Sequence, residues 1–305
     1  MKKLLSVFFV ILCFFIAFGE LKVNAETLNL RTHPGVQVNK KTYTPYASLR
    51  PATKNAATDH NQGFKDGCHV GKNVGYAKKV CVYGKKTNYK TTLAIIGDSH
   101  SAHWLGAVQQ FAEKYNIRVL FATKSGCTLS STSRPDYPSC TTWNKRIIPR
   151  IAKYKPDVVL VKANNTQSGN KYDAGIIDKF RELHANNIKV FAIRDTPYFN
   201  VYIPDCVKEY GRNSAKCRIA KSSLPPKPQW VDTIRAEPYV KYVDYTNLIC
   251  NIDKYCYPTQ GNVILVRDRH HLTNSYSSTF SYYIYKDLYR FLIDAHAERV
   301  AKGVS

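Results

Sequence analysis

The sequence is short of acid: 22 Asp plus Glu stand against 45 Lys plus Arg in 305 residues, a formal charge of +23. It has no long polar tract, which excludes a largely disordered chain, and it shows no internal repeat. After the N-terminal stretch no apolar segment approaches the length of a bilayer span. No two cysteines stand in C-x-x-C spacing, and the gaps are too wide for a zinc ribbon or knuckle. The positive charge comes without an aromatic-and-basic binding motif, so nucleic acid is not an expected partner.

What is present points to a packed, exported domain. Hydrophobic residues make up 44 % of the chain, with 22 Tyr and 13 Phe, enough for a sizeable core. Lys2 and Lys3 precede an apolar run from Leu4 to Phe18, and Val23-Asn24-Ala25 offers small residues for cleavage. Residues 1–25 therefore read as a secretory signal peptide, with an uncleaved anchor as the alternative. Leu12 precedes Cys13 where lipid attachment needs a small residue, so no lipid anchor is expected. The remaining cysteines are eight: Cys68, Cys81, Cys127, Cys140, Cys206, Cys217, Cys250 and Cys256. Export makes disulfides the default, and the grouping suggests bridges between sequence neighbours, although eight cysteines leave the connectivity open. The expected location is secreted, or else the outer face of the cytoplasmic membrane or the cell wall. There the excess lysine either draws the protein to anionic polymers and lipid head groups or only keeps it soluble.

Residues 26–66 carry scattered Pro, Thr, Asn and Lys without apolar periodicity and read as an extended arm or linker. From about residue 91 short β-branched runs alternate with amphipathic stretches, the pattern of a parallel sheet with crossover helices. Strands are expected at Thr92–Gly97, Ile117–Ala122, Asp157–Val161, Ile188–Ile193 and Val240–Tyr245. Helices are expected at about 101–115, 142–154, 173–186 and 276–296. In the last helix Tyr282, Tyr285, Leu288, Phe291 and Leu292 form a candidate core stripe. Two insertions, 123–141 and 197–232, read as disulfide-tied loops at the carboxyl ends of the strands, where open α/β sheets bind ligands.

The first strand runs into Ile96-Gly97-Asp98-Ser99-His100, which sets a serine at the start of a helix beside free backbone N–H groups. A serine hydroxyl needs a base within hydrogen-bond reach, and an imidazole oriented by a carboxylate is the usual one. Asp268-Arg269-His270-His271-Leu272, after the apolar run Val263–Val266, offers both at three-residue spacing. That spacing favours His271 over His270. Each piece alone is commonplace, a helix cap or a solvated turn; together, and in this order, they are specific. Asp98, His100, His103 and His271 have the chemistry of a zinc site, the rival reading, while His103 and Trp104 are also expected to pack under the sheet edge.

These residues resemble the SGNH (GDSL-type) hydrolase superfamily, and most closely the extracellular SGNH domains attached to acyltransferase-3 membrane modules in bacterial cell-surface O-acetyltransferases. The resemblance covers roughly residues 67–296: Gly97-Asp98-Ser99-His100-Ser101-Ala102-His103-Trp104, Ser125-Gly126-Cys127, Trp143, Asp195-Thr196-Pro197, Pro204-Asp205-Cys206, the Asp268–Leu272 segment and the cysteine placement. It implies a three-layer α/β/α sandwich with a central parallel sheet, the flavodoxin-like SGNH fold, over residues 67–305. It implies Ser99 as nucleophile, His271 as general base and Asp268 as its carboxylate. The oxyanion hole would use the N–H groups of Ser99 and Gly126 and an Asn side chain, Asn164 or else Asn165. Where many relatives have Gly-x-Asn-Asp, this chain has Lys162-Ala163-Asn164-Asn165. The implied activity is transfer of acetyl to, or its removal from, a cell-surface glycan, without a metal or other cofactor. Transfer would call for a separate membrane acyltransferase as acyl donor. The alternative is a non-catalytic basic accessory protein that binds the wall through the same scaffold.

Overall fold

The computed structural model describes residues 47–164, 169, 173–227, 229–250 and 254–304. The leader, residues 26–46 of the arm and Asn165 lie outside them. The central sheet contains β1 (His69–Val70), β2 (Cys81–Gly84), β3 (Thr91–Gly97), β4 (Ile117–Lys124), β5 (Val158–Lys162), β6 (Lys189–Ile193) and β8 (Val240–Val243), with β7 (Ile219–Ala220) in a separate two-stranded ladder. Five strands run parallel in the order β4-β3-β5-β6-β8, while β1 and β2 share the outer edge of β4, β2 antiparallel. Counted along the chain this is the 2-1-3-4-5 order of flavodoxin-like folds, whose order reverses between the first and third strands. That point lies between β3 and β5, and it opens a crevice at the strand ends.

The strand sequences explain the layering. Every residue of β3 is buried, as expected of a parallel strand covered on both faces. Successive side chains alternate: Leu93 and Ile95 join Val119, Phe121, Val158 and Leu160 on one face, under the helices Leu105–Ala112 and Ser281–Ala301. Ala94 and Ile96 join Leu120, Ala122, Val159 and Val161 on the other, under Pro138–Ala152 and Ala174–Ala185. This is the α/β/α sandwich read from the sequence.

Several details differ from the reading. The helix expected at 101–115 is two, Ser99–Ala102 and Leu105–Ala112, broken at His103-Trp104, both of which are buried. The last expected helix is likewise two, Asn274–Thr279 and Ser281–Ala301. Its buried stripe runs through Ile284, Tyr285, Leu288, Leu292 and Ala295, whereas Tyr282 and Phe291 are only half-buried. The insertion 197–232 is more than a loop, because it contains the helix Ile203–Tyr210. The four disulfides join Cys68–Cys81, Cys127–Cys140, Cys206–Cys217 and Cys250–Cys256. Among the described residues no helix is long and apolar enough to cross a membrane.

Part of the arm lies on the domain. Arg50 bridges Val263, Asn61 Nδ2 donates to the Ala102 carbonyl at 2.7 Å, and Asp59 Oδ2 accepts the Ser275 N–H at 2.8 Å. Gly63 lies so close to the Phe121 ring that a Cβ there would fall 2.3 Å from it. A backbone bridge, side-chain hydrogen bonds to backbone and a glycine make these contacts, so no apolar periodicity announces them.

Candidate active site

The site grows from the end of β3. Gly97 has φ +112° and packs so tightly on Ser101 that a Cβ would fall 2.5 Å from its Oγ, so the strand turns into the helix Ser99–Ala102 without a side chain in the way. Asp98 is the N-cap, its Oδ1 accepting the N–H groups of His100 at 2.9 Å and Ser101 at 3.3 Å. The cap leaves Ser99 at the first helical position, at the edge of an open cavity of about 590 Å³.

The chain's far end meets it there. His271 Nε2 lies 2.8 Å from Ser99 Oγ, and His271 Nδ1 lies 2.6 Å from Asp268 Oδ2. Asp268 Oδ1 accepts the N–H groups of His270 and His271, each at 2.8 Å. Burial works to raise the Asp268 pKa, but the hydrogen bond and charge of His271 and these two N–H groups outweigh it and hold the carboxyl well below its usual range. An ionised carboxylate only accepts, so His271 carries its proton on Nδ1 and turns an acceptor, Nε2, to Ser99. Burial lowers the His271 pKa to about 4 against the support of Asp268, which keeps the ring neutral at ordinary pH. The loop is buttressed from the 197–232 insertion: Phe199 N–H donates to the Arg269 carbonyl at 2.7 Å and Ile203 N–H to that of Asp268 at 3.0 Å.

Gly126, in the left-handed region at φ +56°, lines the same cavity, on the loop that the Cys127–Cys140 bridge ties to the next helix. Among the described residues no acceptor takes the N–H of Ser99 or of Gly126. Asn164 is not brought to the cavity. It is fully buried, its Oδ1 accepts the Asp195 N–H at 2.9 Å, and the wall at that strand end is formed by Lys162.

Lys162 belongs to a charged group that the sequence reading did not assemble. Its Nζ pairs with Asp98 Oδ2 and lies 4.0 Å from Asp195 Oδ2, all three side chains buried. Burial lowers the Lys162 pKa, yet the two carboxylates outweigh it and raise the value on balance. Asp195 also holds His100 Nδ1, and His100 Nε2 meets His270 Nδ1 at 2.7 Å. Tyr198 stacks on His270 with ring centroids 4.4 Å apart. The available signal was a lysine closing an otherwise apolar strand, which requires buried acids beside it.

The zinc reading meets a different donor set from the one expected. His100, His270 and His271 bring ring nitrogens within 4.8 Å of one another. Asp98 faces Lys162 instead, and His103 is buried with Nδ1 accepting the Leu272 N–H at 3.3 Å, edge-on to Trp104. Both His271 nitrogens and the facing His100 nitrogen already hold hydrogen bonds, so a metal here would have to break the Ser99–His271 contact.

A family model described as the SGNH domain (fused to AT3 domains) matches residues 67–284. No curated protein matches the chain. Among solved structures, the Salmonella ser. Paratyphi A lipopolysaccharide acetyltransferase periplasmic domain is similar at 17 % identity, with TM-score 0.51 over 69 % of this chain and 86 % of that one. That likeness concerns the fold. With a family match over most of its length and a sheet of the expected order, the chain belongs to the SGNH domains of the kind found fused to AT3 domains.

Proposed function

We propose that the protein is an exported serine-dependent O-acyltransferase or esterase that handles acetyl esters of a bacterial cell-surface glycan through an acyl-enzyme on Ser99. The observation that carries this reading is the hydrogen-bonded run Asp268–His271–Ser99 at the wall of an open cavity. Ser99 Oγ attacks the acyl carbonyl as its proton passes to His271 Nε2, and the Asp268 carboxylate stabilises the imidazolium. The N–H groups of Ser99 and Gly126 face the developing oxyanion. His271 then returns the proton to the departing oxygen, leaving the acyl group on Ser99. A sugar hydroxyl or a water, deprotonated by the same imidazole, takes the acyl group and restores the serine.

Membership of a family fused to AT3 domains supports a membrane acyltransferase as the source of the acyl group, and the similar structure comes from an acetyltransferase of lipopolysaccharide. Four disulfides support an oxidising, extracytoplasmic location. The net charge of +23 adds a salt-sensitive attraction to anionic envelope polymers.

A panel of acetylated glycans tests the reading, with acetate release and acetyl movement to unmodified glycan followed together. Wild type is expected to do one or both and Ser99→Ala neither. Glycan binding by both proteins, without ester chemistry in either, would favour the accessory-protein reading instead.

A further inference from the structure

Arg267 is a buried cation on the cavity wall that no carboxylate among the described residues meets in an ion pair, although the charges of Asp268 and Asp59 act on it from farther off. It immediately precedes Asp268, and its N–H donates to the His271 carbonyl at 2.8 Å, so the catalytic loop fixes its place. The residue is 6 % exposed. Its guanidinium lies over the Phe64 ring, Cζ 5.3 Å from the centroid, and Nη1 donates to the Leu272 carbonyl at 3.1 Å. Among the described residues it makes no ion pair. The hydrogen bonds of the two nearby carboxylates go elsewhere, Asp268 Oδ2 to His271 and Asp59 Oδ2 to the Ser275 N–H. A guanidinium carries five N–H donors, so most of this one's capacity is unused.

Two other cations of the cavity have carboxylate partners. Lys162 has Asp98 and Asp195, and Arg134 has Asp136. Burial lowers the pKa values of His69 and His270 to about 3, so neither ring brings charge at neutral pH. Exposed Lys72, at the rim, has no ion-pair partner among the described residues. The Lys124 ammonium donates to the carbonyls of Gly71 and Lys72 and so fixes the backbone that carries it. The cations of the cavity wall without an ion pair among the described residues are therefore two, Arg267 deep and Lys72 at the mouth.

We propose that Arg267, with Lys72 at the rim, binds an oxyanion, a carboxylate or phosphate borne by the glycan that reacts at Ser99. The identity of the carrier rests on the reading above; the anion site rests on the cavity alone. The planar fork of an arginine suits both groups, and in a water-poor wall each charge-assisted hydrogen bond is strong.

Binding to Ser99→Ala protein tests this without any requirement for turnover. Methyl glucuronide, glycerol phosphate and neutral methyl glucoside are titrated separately and followed by NMR. At least one anion is expected to bind about tenfold or more tightly than the glucoside. Adding Arg267→Met should abolish that preference, and Arg267→Lys, which keeps the charge but not the fork, should reduce it about threefold. Lys153→Gln, an exposed change at the opposite end of the sheet, should preserve it. Which anion binds distinguishes uronate from phosphate carriers. Equal or undetectable binding of all three ligands, or a preference that survives both Arg267 variants, overturns the proposal. If anions bind through Arg267 but wild type processes no ester, the acyl-enzyme reading fails and the anion site stands.

Discussion

Two aspartate–histidine pairs stand at the carboxyl end of the sheet, and they differ in what lies beyond the histidine. In Asp268–His271 the ring's second nitrogen reaches a serine hydroxyl at the cavity wall. In Asp195–His100 it reaches another imidazole, His270, and the carboxylate is shared with the buried Lys162. The first pair belongs to one short loop whose backbone N–H groups charge-stabilise the acid. The second joins the ends of two elements 95 residues apart and has side chains 10 % and 2 % exposed. On the proposed function, the same two residue types serve chemistry in one place and architecture in the other. The difference is set by the group that faces the imidazole's accepting nitrogen, a hydroxyl in one case and a second ring in the other, not by the pair itself.

Substitutions can break this contrast. Asp268→Asn should lower kcat for ester cleavage by about a thousandfold or more, because the ring loses its fixed tautomer and the imidazolium its counter-charge. Lys162→Met should act on stability instead, costing about 3–5 kcal/mol in urea unfolding, since it leaves Asp98 and Asp195 buried without their cation. Asp195→Asn, the counterpart of the first change, should lower kcat by less than about tenfold while reducing stability by roughly 1–3 kcal/mol. Equal kinetic losses from the two aspartate variants would merge the pairs into one catalytic unit. The pH profile sharpens the contrast further. Protonated His271 cannot accept the serine proton, so kcat/KM should rise with pH to a plateau with its midpoint near the lowered value of about 4. A midpoint near 6.5 would mean that the ring is better solvated than the structure places it.

Legibility followed locality. The strand β3, the turn at Ser99 and the Asp268–His271 spacing lie within short stretches, so pattern and spacing expose them. The inner strands were readable for a related reason: covered on both faces, they are nearly continuous apolar runs, as in Val158-Val159-Leu160-Val161. By contrast β1 and β2, of two and four residues, are too short for any periodicity to show. The partners of Lys162 come from the ends of two other strands, and only the sheet order makes them neighbours. Asn164 occupies the expected place in sequence, but it is fully buried and its amide oxygen accepts the Asp195 N–H, a placement set by tertiary structure. That Arg267 meets no carboxylate in an ion pair among the described residues is equally invisible in sequence, because charge is easily counted and pairing is not.

The account turns on Ser99 carrying an acyl group, and intact mass measures that directly. The purified protein, disulfides kept, is exposed briefly to an activated aryl acetate beside Ser99→Ala and then weighed, with peptide mapping of any adduct. One acetyl group on wild type, mapped to Ser99 and missing from the variant, is the predicted result. An adduct that persists in Ser99→Ala, or wild type that gains none and turns over no ester, would contradict it.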